Sequence, residues 1–83
     1  MAKYRKKPVV IEAIQYTTKN VADVLAFCPV AVALTGLIEI ETMEGWMDAR
    51  PGAWIIKGVQ GEFYPCKADV FAATYELAEV SDG

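Results

Sequence analysis

Apolar and charged residues alternate most regularly in Leu37-Ile38-Glu39-Ile40-Glu41-Thr42-Met43, with Ile38 and Ile40 on one side and Glu39 and Glu41 on the other. A repeat of two marks a half-buried strand. Val9–Tyr16, VVIEAIQY, is β-branched and apolar at positions of both parities, which predicts a strand in the interior of a sheet. Between these two segments the repeat changes. Val21, Val24, Leu25 and Cys28 fall at i, i+3, i+4 and i+7, one stripe of an amphipathic helix. Asn20 is placed to cap it, Asp23 complements its N-terminus and Pro29 ends it. Val30–Leu34 fits a short strand or a buried continuation, the strand being favoured, and Gly36 turns the chain into Leu37–Met43.

The second half of the chain is built from hairpins. Glu44-Gly45 forms a tight turn into a strand over Trp46–Ala49, and Arg50-Pro51-Gly52-Ala53 has the Pro-Gly pair of a type II turn. Trp54–Lys57 is a strand, Gly58–Gly61 a loop, and Glu62–Pro65 the antiparallel return. Pro65 cannot donate to a ladder and belongs at a strand end or edge. Asp69 caps a short helix over Val70–Ala73, Thr74–Leu77 forms a last strand, and residues 80–83 fray. The fold class is α+β: a small, curled, mostly antiparallel sheet with one amphipathic helix across a face and a short C-terminal helical turn. Residues 1–83 form a single domain, organised around the stretch Arg50–Tyr75 and preceded by a basic arm, residues 1–7.

Composition changes this picture in one respect. A chain of 83 residues buries only roughly 60–65% of its unfolded surface, yet 54% of the residues are hydrophobic. The surplus predicts a homo-oligomer. Net charge is −3, with Lys3, Arg5, Lys6 and Lys7 at the start and Glu39, Glu41, Glu44 and Asp48 in mid-chain. An acidic body argues against binding a long nucleic acid and leaves room for a small anion at a few local cations. Two cysteines, Cys28 and Cys66, make neither a disulfide scaffold nor a metal motif. Without a secretory leader or a long apolar run, the expectation is a cytosolic protein with reduced thiols and no membrane partner.

The chemical inventory favours binding over catalysis. The chain has no histidine, its only serine is Ser81, and neither the GxxxxGK[ST] nor the GxGxxG pattern is present. Cys66, beside Lys67, is the better candidate nucleophile, because an ammonium lowers a thiol pKa, but nothing is there to activate it. Glu39 and Glu41 share a strand face about 7 Å apart, the spacing of a solvent-facing strand as much as of a cation site. By contrast Trp46, Trp54, Phe63 and Tyr64 lie in the hairpins with Arg50, Lys57 and Lys67 near by. Aromatic rings beside cations suit a nucleobase with its phosphate. The competing role for any one of these rings is the core. The loop Gly58–Gly61 offers backbone N–H groups to an anion, or serves only as a hairpin turn.

YRKKPVVIEAIQY at Tyr4–Tyr16, ETMEG at Glu41–Gly45 and PGAWIIKGVQGEFYPCKADVFAATYE at Pro51–Glu76 resemble small phage and prophage proteins. Those carry a PGDxI-type turn followed by KGxxGEFYPCKPDxFxxTYE. The resemblance spans most of the chain except Cys28–Leu37 and the tail. Ala53 stands where the family has Asp, and Ala68 where it has Pro. The first departure removes any role for a carboxylate at that turn. The resemblance implies a phage origin, and with it the cytoplasm of an infected bacterium. Small oligomeric phage proteins include anti-CBASS sponges, which sequester the cyclic-nucleotide signals of anti-phage defence. The missing catalytic groups, the apolar surplus and the ring-and-cation hairpins extend the expectation to such a sponge.

The expected function is therefore a non-catalytic homo-oligomer that captures a small cyclic (oligo)nucleotide, with no cofactor and no metal. Trp54, Tyr64 or Trp46 would stack a base; Lys57, Lys67, Arg50, or Arg5 and Lys7 of the arm would meet phosphates. The alternative is a phage accessory protein that inhibits a host protein, docking through exposed aromatics and a sheet edge. A virion component comes third, and an enzyme last.

Overall fold

Among the residues described by the computed structural model, 1–5 and 7–78, six strands and two helices follow one another. Lys6 and the tail expected to fray, residues 80–83, lie outside the described residues. The order is β1 (Glu12–Gln15), α1 (Val21–Phe27), β2 (Ala31–Leu34), β3 (Leu37–Thr42), β4 (Gly45–Ala49), β5 (Trp54–Lys57), β6 (Phe63–Cys66) and α2 (Ala68–Thr74). The fold is α+β and mostly strand. Its strands form two antiparallel three-stranded sheets, β1-β5-β6 and β2-β3-β4, where one curled sheet was expected.

The two sheets share one core. Ile38 and Ile40 of β3, Ala49 of β4, Ile55 of β5, Tyr16, and Val24 and Cys28 from the α1 segment make one buried cluster. The α1 stripe behaves as its spacing predicts: Val24 and Cys28 are buried, and Val21 and Leu25 half-buried. Phe27 closes one end of the cluster against Phe63 in an edge-to-face pair at 5.7 Å. Ile56, the neighbour of Ile55, is buried on the opposite face of β5.

Turn chemistry sets the connections. Gly52 takes φ +101° and the Ala53 N–H donates to the Arg50 carbonyl at 2.9 Å, closing the type II turn. That turn is fastened to the end of β1. The Gly52 N–H donates to the Tyr16 carbonyl at 2.7 Å, and Gln15 Nε2 donates to the Gly52 carbonyl at 3.0 Å. In the β3–β4 hairpin Met43 and Glu44 keep negative φ, and Gly45 takes the left-handed position at +104°.

Four expectations are corrected. Val9–Tyr16 shrinks to β1 and lies at a sheet edge, because β5 has only four residues and its last, Lys57, pairs with Glu12. Nothing stands opposite Val9, Val10 and Ile11 in that ladder. Asn20 does not cap α1 with its side chain; it stitches the β1–α1 turn instead. Its Nδ2 donates to the Gln15 carbonyl at 2.7 Å and its Oδ1 accepts the Thr17 N–H at 2.8 Å. Helix α2 is longer than Val70–Ala73, with Lys67 and not Asp69 at its N-cap. Thr74–Leu77 is not a strand: the helical hydrogen bonding runs on until the Tyr75 N–H reaches the Phe71 carbonyl at 2.9 Å.

Two substitutions separate packing from backbone strain. Ile55→Ala, at the junction of both sheets, should cost about 2–5 kcal/mol of unfolding free energy in urea titration. Gly52→Ala meets open space at its new Cβ, so its cost of about 1–3 kcal/mol is conformational alone.

Candidate functional site

Two concavities are lined by the residues that sequence reasoning singled out. The first is a shallow depression of about 440 Å³ where β4 ends and α2 begins; Asp48, Arg50, Pro51, Cys66 and Lys67 are among its lining. Arg50 arrives there as the first residue of the type II turn, directly after buried Ala49. Lys67 arrives as the extended N-cap of α2, its carbonyl accepting the Phe71 N–H at 2.8 Å. Among the described residues the only ion pair is Lys57 with Glu12. Arg50 and Lys67 are therefore brought together with neither carrying a carboxylate partner. Asp48 within the lining, and Asp69 close enough to Cys66 to act on its thiol, temper the local positive potential.

The second concavity, about 650 Å³, lies between residues 9–13, α2 and the segment after it. Its floor is a stack of rings. Trp54 lies parallel to Phe71 at 4.1 Å, and Phe71 meets Tyr75 at 5.1 Å. Val9, Val10 and Leu77 form an exposed apolar rim, and Glu76 is the one charged residue in the lining.

The other expected site residues are dispersed. Side chains alternate along a strand, so Trp54 and Ile56 leave one face of β5 while Ile55 and Lys57 leave the other. Lys57 is thus parted from Trp54 and Tyr64, and its ammonium lies 4.0 Å from Glu12. Both partners are largely exposed, so that pair contributes little. Tyr64 donates its hydroxyl proton to Tyr75; this bond, then burial, pushes its pKa up to about 12. Trp46 is more than half exposed, opposite Glu41 on β3 and on the same face as Asp48 and Glu39. Phosphate is repelled there, whereas a neutral ring is not. Arg5 and Lys7 are exposed in the arm and line neither concavity.

Three further candidates resolve clearly. Gly58–Gly61 is occupied by its own anion. The Glu62 carboxylate folds over Gly58 and accepts the Gln60 N–H at 2.9 Å, while the Gly58 and Gly61 N–H groups serve loop carbonyls. Glu39 and Glu41 lie on the outer face of β3, and no group of three metal-ligating side chains occurs among the described residues. Cys66 does not gain from Lys67: burial first, and Asp69 second, push its thiol up from its ordinary value. Burial does the same for Cys28, with a backbone hydrogen bond at Val30 opposing it.

The ring stack is the feature that sequence reasoning missed. Phe71 and Tyr75 are four apart, a helical spacing, and treating Tyr75 as part of a strand concealed the relation. The meeting of Arg50 with Lys67, 17 positions apart, has no local signal at all. No helix among the described residues is long and apolar enough to cross a membrane. Comparison with known protein families, curated proteins and solved structures finds no match to this chain.

The Tyr64–Tyr75 bond has a pH signature. A pKa raised from about 10 to about 12 means that the folded protein keeps a proton the unfolded chain has lost. Stability therefore falls as pH climbs from about 10 towards 12. In ultraviolet titration one phenolate of the native protein should form only near the top of that range, and Tyr75→Phe should bring it to lower pH.

Proposed function

We propose that the protein is a non-catalytic binder that captures a small phosphorylated nucleotide as a homo-oligomer. In the reading that the resemblance to phage proteins supports, the ligand is a cyclic oligonucleotide signal of bacterial defence, and the setting is the infected cell. The observation that carries the proposal is the convergence of Arg50 and Lys67, without carboxylate partners, on one depression. Two such donors suit phosphate oxygens, with the guanidinium binding in a fork and the ammonium as a point charge.

The base-stacking role passes to Trp46. Trp54 already has Phe71 against one face, whereas Trp46 is exposed. It shares a face of β4 with Asp48, which lines the depression. Capture without turnover is supported by a sequence lacking histidine and by two thiols held in their protonated form. A second reading, docking on a host protein, draws on β2, an edge strand of four apolar residues with no charged residue to block pairing.

Thermal-shift titration with cyclic di- and trinucleotides tests the first reading, since a ligand of the folded state raises the melting temperature. Arg50→Ala and Lys67→Ala should each weaken binding by about ten- to a hundredfold, and Trp46→Ala should weaken it without loss of stability. The ligand should be recovered intact after heat denaturation. Recovery of fragments, or no shift with any cyclic nucleotide, overturns the proposal.

A further inference from the structure

The face formed by β1, the three residues before it and the apolar rim of α2 is unfinished in one copy of the chain. Its sequence, VVIEAIQY, has the composition of a strand with neighbours on both sides, yet β1 has β5 on one side only. Val9 and Val10 are exposed, Val10 by 77%, and Leu77 across the groove is almost fully exposed. Among the large apolar side chains left in solvent, Val9, Val10 and Leu77 lie together on this one groove.

We propose that a second copy of the chain covers this face. The two β1 strands, each extended through Val9–Ile11, pair antiparallel across a two-fold axis and join the two β1-β5-β6 sheets into one of six strands. The backbone is already set for this. The Tyr16 N–H donates to the Ala53 carbonyl on the β5 side at 2.8 Å. By the alternation of an antiparallel ladder, Ile14 and Glu12 also turn their groups to β5, while Ile11 and Ala13 turn theirs outward. Proline eight has the inward parity, so its missing N–H is not needed at the new seam.

Charge excludes one register, and the exposed valines select among the others. Pairing centred on Glu12 would set two carboxylates face to face. Pairing centred on Ile11 sets Ile11 against its own counterpart, Val9 against Ala13 and Val10 against Glu12, keeping the carboxylates apart. The same axis brings Val9 and Leu77 of both copies towards the seam on the α2 face, with Val10 and Glu12 on the other face. The β2 edge is a poorer choice for self-pairing. It has four residues, and its outer face continues into Glu39, Glu41 and Asp48.

The proposal deepens the homo-oligomer of the preceding reading, but its test needs no nucleotide. Sedimentation equilibrium of the full chain at tens of micromolar should give twice the 9.1 kDa of one chain. Val10→Glu places a charge on a side chain that is exposed in one copy, so the fold should persist by circular dichroism, and sets that charge opposite the Glu12 carboxylate of the second copy. The dimer should weaken on the order of a hundredfold, from the lost burial of two valines. Val32→Lys on the β2 edge should leave the mass unchanged. Ile11→Cys should form an intermolecular disulfide under mild oxidation, because the paired Cα atoms come within about 5.5 Å. A single-chain mass for the native protein, dissociation by Val32→Lys, or a dimer indifferent to Val10→Glu each overturns the proposal. None of these outcomes bears on nucleotide capture, which Arg50→Ala and Lys67→Ala report separately.

Discussion

Ile55 and Ile56 leave opposite faces of β5 and both are fully buried, so this four-residue strand needs cover on each side. The β2-β3-β4 sheet and α1 supply one cover, bringing Ile38, Ile40, Val24 and Cys28 against Ile55. Helix α2 lies on the other face, where Phe71 stacks on Trp54 and Tyr75 accepts the Tyr64 hydroxyl. At about 25 cal/mol per Å², a strand buried on both faces is the densest source of stability a chain this short can assemble. The three-layered arrangement follows from that demand.

The same alternation decides where charge and rings can meet. A strand that sends Ile55 into the core sends Lys57 to the same side and Trp54 to the other, so β5 cannot place its indole and its ammonium together. Cations that converge come from positions where the strand rule has lapsed: Arg50 opens a turn and Lys67 caps a helix. Both anchors are well fixed. Gly52 is bonded back to Tyr16 and Gln15, and the Lys67 carbonyl begins the hydrogen bonding of α2. A site built at such junctions stands on rigid backbone while its long side chains remain in solvent. That suits a diffusing anion better than it suits bond-making chemistry, which needs buried and strongly perturbed groups.

How much was legible follows from whether a feature is local. Period two gave Ile38 and Ile40 their place in the core, period 3.6 gave Val24 and Cys28 theirs, and Pro51-Gly52 specified its turn, because each signal is contained in a few neighbouring residues. Val9–Tyr16 was read as interior from composition, but pairing length belongs to the partner strand, and β5 stops at Lys57. Asn20 was read as a cap because its type favours one; its amide instead found the Gln15 carbonyl, made available by the end of β1. The Arg50–Lys67 depression depends on β4 and β6 ending side by side, which no local rule specifies. The α+β, mostly strand class agrees with the expectation, the single expected sheet is two, and the site proposed here lies at the junctions around β5 instead of on it.

The eight buried apolar side chains among the described residues are few for a sequence so rich in hydrophobic residues, and the reason is geometric. A three-stranded sheet has two edges for one central strand, so most of its strands are half-finished by construction. Where an edge carries a proline, as β6 does at Pro65, pairing with another chain is discouraged. β1 and its extension carry no proline at an outward-turned position and one charge, Glu12; only the Gln15 carbonyl at the far end is already taken, by Asn20, and the valines before β1 are exposed. An edge patterned for burial and left without a block is a consistent feature of the sequence only if something pairs with it. The proposed pairing of β1 with its own counterpart, which has the complementary length and hydrogen-bond parity, would meet that requirement without invoking any other molecule.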